Sequence, residues 1–315
     1  MKKYFSYVAF AMVAACSLVF VSCSDDDDEP KGGDTNPDVS SELVLNNIGR
    51  TGWSGNEDNG VLTYVPYDAD EYGDDWQPYY AFDFTNGVCQ DAVFGLICES
   101  TYMAQQLERL FKTGAWADMD DDDDDDYYDY AALRKMQSRL KKVTRAYDGY
   151  NLSDLALTVY RNGKTLYITV DCLVGKDNGT VRKTIDIWQG NDSDLSEILI
   201  GKWDDANNRY INNNIYGINT KYQIDTEFAN NLLKKYMTTI TFPNKTWAAL
   251  MFENLEEQNE QIGDIYGLYP QAELNGRVVT EDAVIIGDIT KAQTLEIIAA
   301  LDILMSQPFI TMLVD

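Results

Sequence analysis

The chain has 315 residues, with 52 Asp and Glu against 25 Lys and Arg, no histidine and a formal net charge of −27. A chain this negative repels phosphate backbones, which excludes nucleic acid as a partner. Without histidine it carries neither a Ser-His-Asp or Cys-His nucleophile system nor an H-E-x-x-H zinc site, so acid–base chemistry would fall to carboxylates, lysine or tyrosine.

The N-terminus has the layout of an export signal. Met1–Lys3 supplies a short positive region, Tyr4–Val21 is apolar, and Cys23 is followed by Ser24 and the five acids Asp25–Glu29. An apolar stretch of this length is marginal for a membrane span, which needs about 20 residues. We therefore predict cleavage just before Cys23, which makes residues 1–22 a signal peptide.

The sequence Phe20-Val21-Ser22-Cys23 resembles the lipobox of bacterial lipoproteins, and the acids after it resemble the export tag of surface lipoproteins of the Bacteroidetes. This resemblance covers about 30 residues of the chain. It implies that Cys23 is acylated, with palmitate as a typical chain, and that the protein is held by lipid in the outer membrane, facing the cell exterior. Two alternatives stay open: a cut before Cys16, which follows Val13-Ala14-Ala15, and a plain secreted protein.

The rest of the chain is predicted to be a tether followed by an α+β body. Residues 23–40 are acids, Pro and Gly with almost nothing apolar, as in a flexible tether. The remainder has the apolar content of a packed core, and its patterns predict antiparallel β-hairpins, a meander and a few packed helices. We expect two lobes, residues 41–190 and 191–315.

In the first lobe, aromatic β-prone stretches alternate with helical patterns. Asn86-Gly87 and Asn162-Gly163 are hairpin signals. The segment 115–147 is predicted to be an insert, an acidic loop followed by a basic amphipathic helix. The predicted elements are a short helix at 40–49, strands at 61–67, 79–84 and 88–98, a helix at 100–111, a hairpin within 154–173 and a third meander strand at 180–188.

The second lobe repeats some features of the first. Residues 196–208 echo 41–59, with Ser-Glu, aliphatics, a glycine, a tryptophan and an Asn/Asp-rich loop, which hints at a duplication. The predicted elements are a helix at 226–237, a hairpin around Pro243-Asn244, a hairpin around Asn275-Gly276, a helix at 291–306 and a buried strand at 309–315.

Three cysteines remain besides Cys23. Cys89 and Cys98 lie nine residues apart in one predicted strand, so they would be about 30 Å apart, whereas bridged Cα atoms lie within about 7 Å. An unbroken strand therefore excludes a bridge between them, and we predict free, buried thiols. Because an exported protein can form disulfides, the redox state of Cys89, Cys98 and Cys172 stays open.

Candidate binding residues are aromatic rings beside Asn/Asp-rich loops. Trp76, Tyr79 and Trp203 fit a sugar site, because a ring stacks on C–H groups while amides and carboxylates bond hydroxyls. The acids of residues 68–74 suggest an irregular calcium loop, although Tyr72 and Tyr79 replace the acids of an EF-hand. No other cofactor is predicted, since neither glycine-rich nucleotide motif occurs.

These observations predict an outer-membrane surface lipoprotein that binds a glycan or another extracellular ligand without catalysis. The membrane is contacted through the lipid anchor only. One alternative is a structural or adhesive module that contacts partner proteins through an apolar patch or an open strand edge. Another is a glycoside hydrolase with two carboxylates about 5 to 10 Å apart, one of raised pKa.

Overall fold

The structure is a computed structural model and describes residues 35–36, 38–48, 50–67, 76–114, 151–192, 194–195, 198–252, 255 and 267–314. Two antiparallel six-stranded sheets with helices make up an α+β body of two lobes, as the sequence predicted. Within the described ranges, unit 1 contains residues 35–113, 157–192 and 314. Unit 2 contains residues 114, 151–156 and 194–313.

Unit 1 is a four-strand meander extended by a second hairpin. The strands are β1 (Gly52–Gly55), β2 (Gly60–Val65), β3 (Trp76–Thr85), β4 (Val88–Cys98), β5 (Tyr160–Asn162) and β6 (Thr165–Thr169), with helices α1 (Thr101–Thr113) and α2 (Asn178–Trp188). Their order in the sheet is β1-β2-β3-β4-β6-β5, so the chain crosses to the outer edge after α1 and returns beside β4.

Unit 2 is built in the same way. Its strands are β7 (Lys202–Asp204), β8 (Arg209–Asn212), β9 (Lys221–Ala229), β10 (Leu232–Thr241), β11 (Leu268–Asn275) and β12 (Val278–Ile285). Residues 245–252 form helix α3, and α4 (Lys291–Met305) and α5 (Phe309–Val314) follow the last strand. The order in the sheet is β7-β8-β9-β10-β12-β11.

The two units therefore repeat one topology. Each has a short first hairpin, a long second hairpin, a helix, a third hairpin whose second strand pairs with the fourth strand, and a closing helix. The tryptophans Trp53 and Trp203 occupy the same place, the edge strand of the first hairpin, and each lies opposite a tyrosine of the next strand. The echo between residues 41–59 and 196–208 thus coincides with equivalent positions in the fold.

The sheet of unit 1 is covered on both faces. On one face the rings of Tyr80 and Phe94 lie 5.0 Å apart, and Trp188 of α2 packs beside Tyr80. On the other face, residues from the N-terminal segment, Leu43 and Val44, close over Tyr79 and its neighbours. Strands buried on both sides need nearly continuous apolar sequence, which β3 and β4 have.

The sheet of unit 2 buries one face. Along β9 the buried residues Tyr222, Ile224 and Thr226 alternate with exposed or half-buried ones. The strands therefore alternate apolar and polar residues, the pattern of a sheet that faces solvent on one side.

The Asn-Gly turns and two helices are confirmed. Hairpins form at Asn86-Gly87, Asn162-Gly163 and Asn275-Gly276, where each glycine has a positive φ. The predicted helices at 100–111 and 291–306 correspond to α1 and α4.

Several other element predictions are wrong. The predicted helix at 226–237 is the β9–β10 hairpin, whose turn residues Asn230 and Asn231 both adopt positive φ. The predicted strand at 180–188 is α2, which Asp177 caps by accepting the N–H of Thr180. Residues 245–252 and 309–314 are helices rather than strands, and within the described residues 40–48 the one helical element is the 3₁₀ turn Ser41–Leu43.

A buried carboxylate organises unit 2. Asp302 of α4 is fully buried, and its Oδ2 accepts the backbone N–H groups of Ile200 at 2.5 Å and Gly201 at 3.0 Å. Its Oδ1 accepts the Tyr210 hydroxyl and the Asn212 amide, the latter at 2.8 Å. Burial, with the Asp302 charge, raises the pKa of Tyr210, so the phenol keeps the proton that it donates.

We expect Asp302→Asn to lower the free energy of unfolding by about 3 kcal/mol or more, because the new amide group would face donors instead of accepting from them. Urea unfolding measures this loss. Ser306→Ala is the control, since the Ser306 hydroxyl donates to the same carboxylate at 3.3 Å and accepts the Asn212 amide at 3.0 Å, and the loss of these two neutral-group contacts should cost about 1 kcal/mol. Equal losses in the two variants would contradict the organising role of Asp302.

Candidate functional site

The candidate site of unit 2 lies where its first hairpin meets α4. We call it the unit 2 corner and define it as Trp203, Asp205, Asn208 and Lys291. Trp203 and Tyr210 are directly opposite on β7 and β8, so their side chains leave the same face of the sheet. Tyr210 points into the core, whereas Trp203, on the edge strand, is half-buried.

The loop that follows Trp203 is shaped by its own side chains. Asp204 Oδ1 accepts the N–H groups of Ala206 at 2.9 Å and Asn207 at 3.3 Å, and Asn208 adopts a φ of 48°. This turn leaves the side chain of Asp205 81% exposed.

Hydrogen bonds hold the corner together. Asp205 Oδ1 accepts the indole N–H of Trp203 at 2.9 Å and the ammonium of Lys291 at 3.0 Å. Lys291 also donates to Asn208 Oδ1 at 3.2 Å, and its Nζ lies 5.7 Å from the Trp203 ring centre. The bonds from Trp203 and Lys291 lower the pKa of Asp205, which keeps this carboxylate ionised.

Unit 1 has an equivalent corner, which we define as Trp53, Glu57, Arg182 and Asp186. Trp53 donates its indole N–H to Asp186 at 3.3 Å, and Arg182 bonds Glu57 in the first-hairpin loop at 2.6 Å. In both corners a cation of the closing helix lies near the tryptophan and pairs with a loop carboxylate.

The two corners differ in what contacts the tryptophan, while Trp53 and Trp203 are both half-buried. Arg182 stacks 4.6 Å from the Trp53 ring centre, and the ring also packs 4.8 Å from Tyr64 and 6.0 Å from Phe82. In the described part of the chain, Trp203 makes no ring–ring contact. The unit 1 corner is therefore a packed clamp, and the unit 2 corner leaves an indole surface beside polar groups.

The three predicted ligand-binding residues have different environments. Trp76 is 4% exposed and Tyr79 is fully buried, so both belong to the core of unit 1. The Tyr79 hydroxyl accepts the N–H of Leu45 at 2.9 Å and donates to the carbonyl of Leu43 at 3.2 Å, which fixes the segment over the sheet. Ligand binding by these residues stays a prediction, and only Trp203 offers ring surface for it.

Sequence reasoning missed Lys291. It lies 86 residues after Asp205, and no local pattern connects the two. Comparison of the two units identifies it, because Arg182 lies near Trp53 on the equivalent helix of unit 1.

The other predicted sites are only partly covered by the structure. Cys23, the tether up to residue 34, the insert 115–147 and the acids of the calcium loop at 68–74 lie outside the described residues. Cys89 and Cys98 are buried thiols, and Cys172 is a half-buried thiol. Within the described ranges, no group of three or more Cys, Asp or Glu side chains is placed to hold a metal ion. No helix in the described part of the chain is long and apolar enough to cross a membrane.

Unit 1 also contains a group of carboxylates. Asp83 and Asp91 are directly opposite on β3 and β4, and the charge of Asp171 reaches Asp91 as well. Burial raises the pKa of Asp91, the N–H groups of Ser40 and Ala92 oppose the rise, and the two neighbouring charges add to it. Ionised Asp91 is thus less stable in the folded chain than in the unfolded one.

We expect Asp91→Asn to raise the free energy of unfolding at pH 7 by up to about 1 kcal/mol, the size of a like-charge cross-strand pair. The pKa of Asp91 is higher in the folded chain than in the unfolded chain. Folding of the wild-type chain is therefore favoured by protonated Asp91, and the wild-type chain becomes less stable as pH rises from the unfolded pKa through the folded pKa. The difference should therefore vanish near pH 3, where the carboxyl is protonated in both states.

Asp177→Asn is a control variant for which we expect the opposite change in the free energy of unfolding. Hydrogen bonds from Thr180 lower the pKa of Asp177, so its ionised form stabilises the fold and the variant should be less stable at pH 7. Urea unfolding at the two pH values measures both variants. A loss of stability in Asp91→Asn at pH 7 would contradict the electrostatic account.

Comparison with family models, with curated proteins and with solved structures finds no match to this chain.

Proposed function

We propose that the protein is a lipid-anchored protein of the outer cell surface that binds an extracellular glycan at the unit 2 corner and catalyses no reaction there. The observation that carries the binding role is the half-buried Trp203 ring beside the ionised Asp205 and the amide of Asn208. The location rests on the lipobox-like Cys23 and the acids after it.

The chemistry of the corner suits a sugar. The flat face of an indole packs against C–H groups of a pyranose, while carboxylate and amide groups exchange hydrogen bonds with its hydroxyls. Asp205, Lys291 and Trp203 also hold one another in place, so little side-chain freedom would be lost on binding.

Fewer observations support an adhesive module. The edge strands β1, β5 and β7 have three or four residues, and the longer edge strand β11 contains Pro270, which cannot donate to a neighbouring strand. Among the described residues, five large apolar side chains are exposed, and Ile286 is the most exposed of them.

A carboxylate hydrolase is favoured by one observation, the raised pKa of Asp91 beside Asp83 and Asp171. Asp91→Asn would then abolish glycoside hydrolysis by the protein, whereas it should leave glycan binding at the unit 2 corner unchanged.

The anchor is tested in cells. We expect Cys23→Ser to release the protein from the membrane fraction, because the thiol that carries the lipid is lost. The wild-type protein should be digested by protease added to intact cells. Digestion of the wild-type protein only after lysis would contradict the surface location.

The site is tested with a glycan array, run with and without calcium on the mature chain bearing Cys23→Ser. We expect binding to one glycan class, and we expect Trp203→Ala to abolish it with a smaller effect on stability than Trp53→Ala, because Trp203 makes no ring–ring contact in the described part of the chain.

Trp53→Ala is the matched control in the other unit. It should lower the melting temperature, since Trp53 packs on Tyr64, but it should leave binding unchanged. A blank array, or binding that survives Trp203→Ala, would contradict the proposed site. Calcium dependence would point to the loop at residues 68–74.

A further inference from the structure

We infer that the unit 2 corner takes a neutral saccharide with vicinal hydroxyls, and not an acidic one. This inference rests on the proposed function and names the ligand class of that same site. It is drawn from the hydrogen-bonding groups left around Trp203, from their charges and from the comparison with unit 1.

The corner offers an acceptor and a donor on two side chains that share one partner, Lys291. Asp205 uses Oδ1 for Trp203 and Lys291, and Asn208 uses Oδ1 for Lys291. Within the described part of the chain, Asp205 Oδ2 accepts no hydrogen bond and Asn208 Nδ2 donates none. Asp205 and Asn208 both bond the ammonium group of Lys291. The acceptor Oδ2 and the donor Nδ2 therefore belong to neighbouring side chains.

A vicinal diol matches such a pair. One hydroxyl donates to a carboxylate oxygen, its neighbour accepts from an amide N–H, and the C–H face beside them is free to lie on the indole. The carboxylate must be ionised to accept in this way, and the bonds from Trp203 and Lys291 keep it so.

The charges of the corner disfavour an anion. Lys291 is already bonded to Asp205, and Arg209 on the neighbouring strand is bonded to Asp225 at 2.5 Å. A uronate or sulfate would therefore meet an exposed, ionised Asp205 and a second carboxylate, Asp204, whose pKa the Asn207 amide also lowers. The chain as a whole adds a net charge of −27, which repels anionic ligands further.

The repeat predicts one such site per chain. In unit 1, Arg182 stacks on Trp53 where a sugar would lie, and Tyr64 packs on the same ring. The two units thus share one topology, but the tryptophan ring is packed by Arg182 and Tyr64 in unit 1 and makes no ring–ring contact in the described part of unit 2.

The test uses a matched pair of probes, neutral galactan fragments and polygalacturonate fragments of equal length, printed within a wider array of neutral and acidic glycans. The protein is the mature chain bearing Cys23→Ser, and binding is repeated from 0.05 to about 0.5 M salt. We expect neutral glycans to bind, acidic counterparts to bind at least tenfold more weakly, and the neutral binding to be unchanged by salt.

Asp205→Asn tests the acceptor. It should weaken neutral binding about tenfold, the loss expected for a hydrogen bond to a charged group, whereas Trp53→Ala should not. Preference for acidic glycans, with binding that weakens as salt rises, would overturn the ligand class while leaving the glycan-binding function in place. No binding to either class would overturn both.

Discussion

Asp302 places a carboxylate inside unit 2, where donors from two separate stretches of the chain, residues 200–201 and strand β8, surround it. Its carboxylate binds the backbone of Ile200 and Gly201, which lead directly into β7, and the Tyr210 hydroxyl and Asn212 amide of β8. A Cβ atom at Gly201 would overlap the Tyr210 hydroxyl, so this close approach requires glycine. Helix α4 carries both Asp302 and Lys291. It therefore positions the chain that leads into β7, the strand of Trp203, and the cation beside the Trp203 ring.

Unit 1 reaches the same topology with other contacts. Its N-terminal segment is fixed by the hydroxyl of Tyr79, which bonds the backbone of Leu43 and Leu45, and packs on the apolar cluster of that sheet face, which includes Ala81 and Val93. The equivalent strands of unit 2 alternate buried and polar residues along β9 and β10. The two units thus share a strand order, but the unit 1 sheet is covered on both faces whereas the strands of unit 2 alternate buried and more exposed residues. Their corners differ as well, since Arg182 stacks on Trp53 and Trp203 makes no ring–ring contact in the described part of the chain.

Short sequence patterns predict those turns and helices whose conformation depends on residues close in sequence. Asn-Gly turns located three hairpins, because only residues that tolerate positive φ fit such turns. The Asn230-Asn231 turn was missed, since Phe228, Leu232 and Tyr236 also lie four residues apart, as on a helix. The β-prone residues at 180–188 predict a strand, although Val181, Ile185 and Trp188 have the helical spacing that α2 adopts.

The candidate site is only partly predictable from the sequence. The Asn/Asp-rich loop predicts Trp203 as a site residue, but its partner Lys291 depends on tertiary contacts that no single segment encodes.

The contrast between the open and the closed corner is the central claim, and fluorine NMR measures it most directly. The mature chain bearing Cys23→Ser is labelled with 5-fluorotryptophan, and the six resonances are assigned by single Trp→Phe replacements. We predict that the Trp203 resonance moves on titration with a neutral glycan, while the Trp53 resonance, whose ring is packed against Arg182 and Tyr64, does not. A Trp203 resonance that no glycan moves, or a Trp53 resonance that glycans move as strongly, would contradict the account.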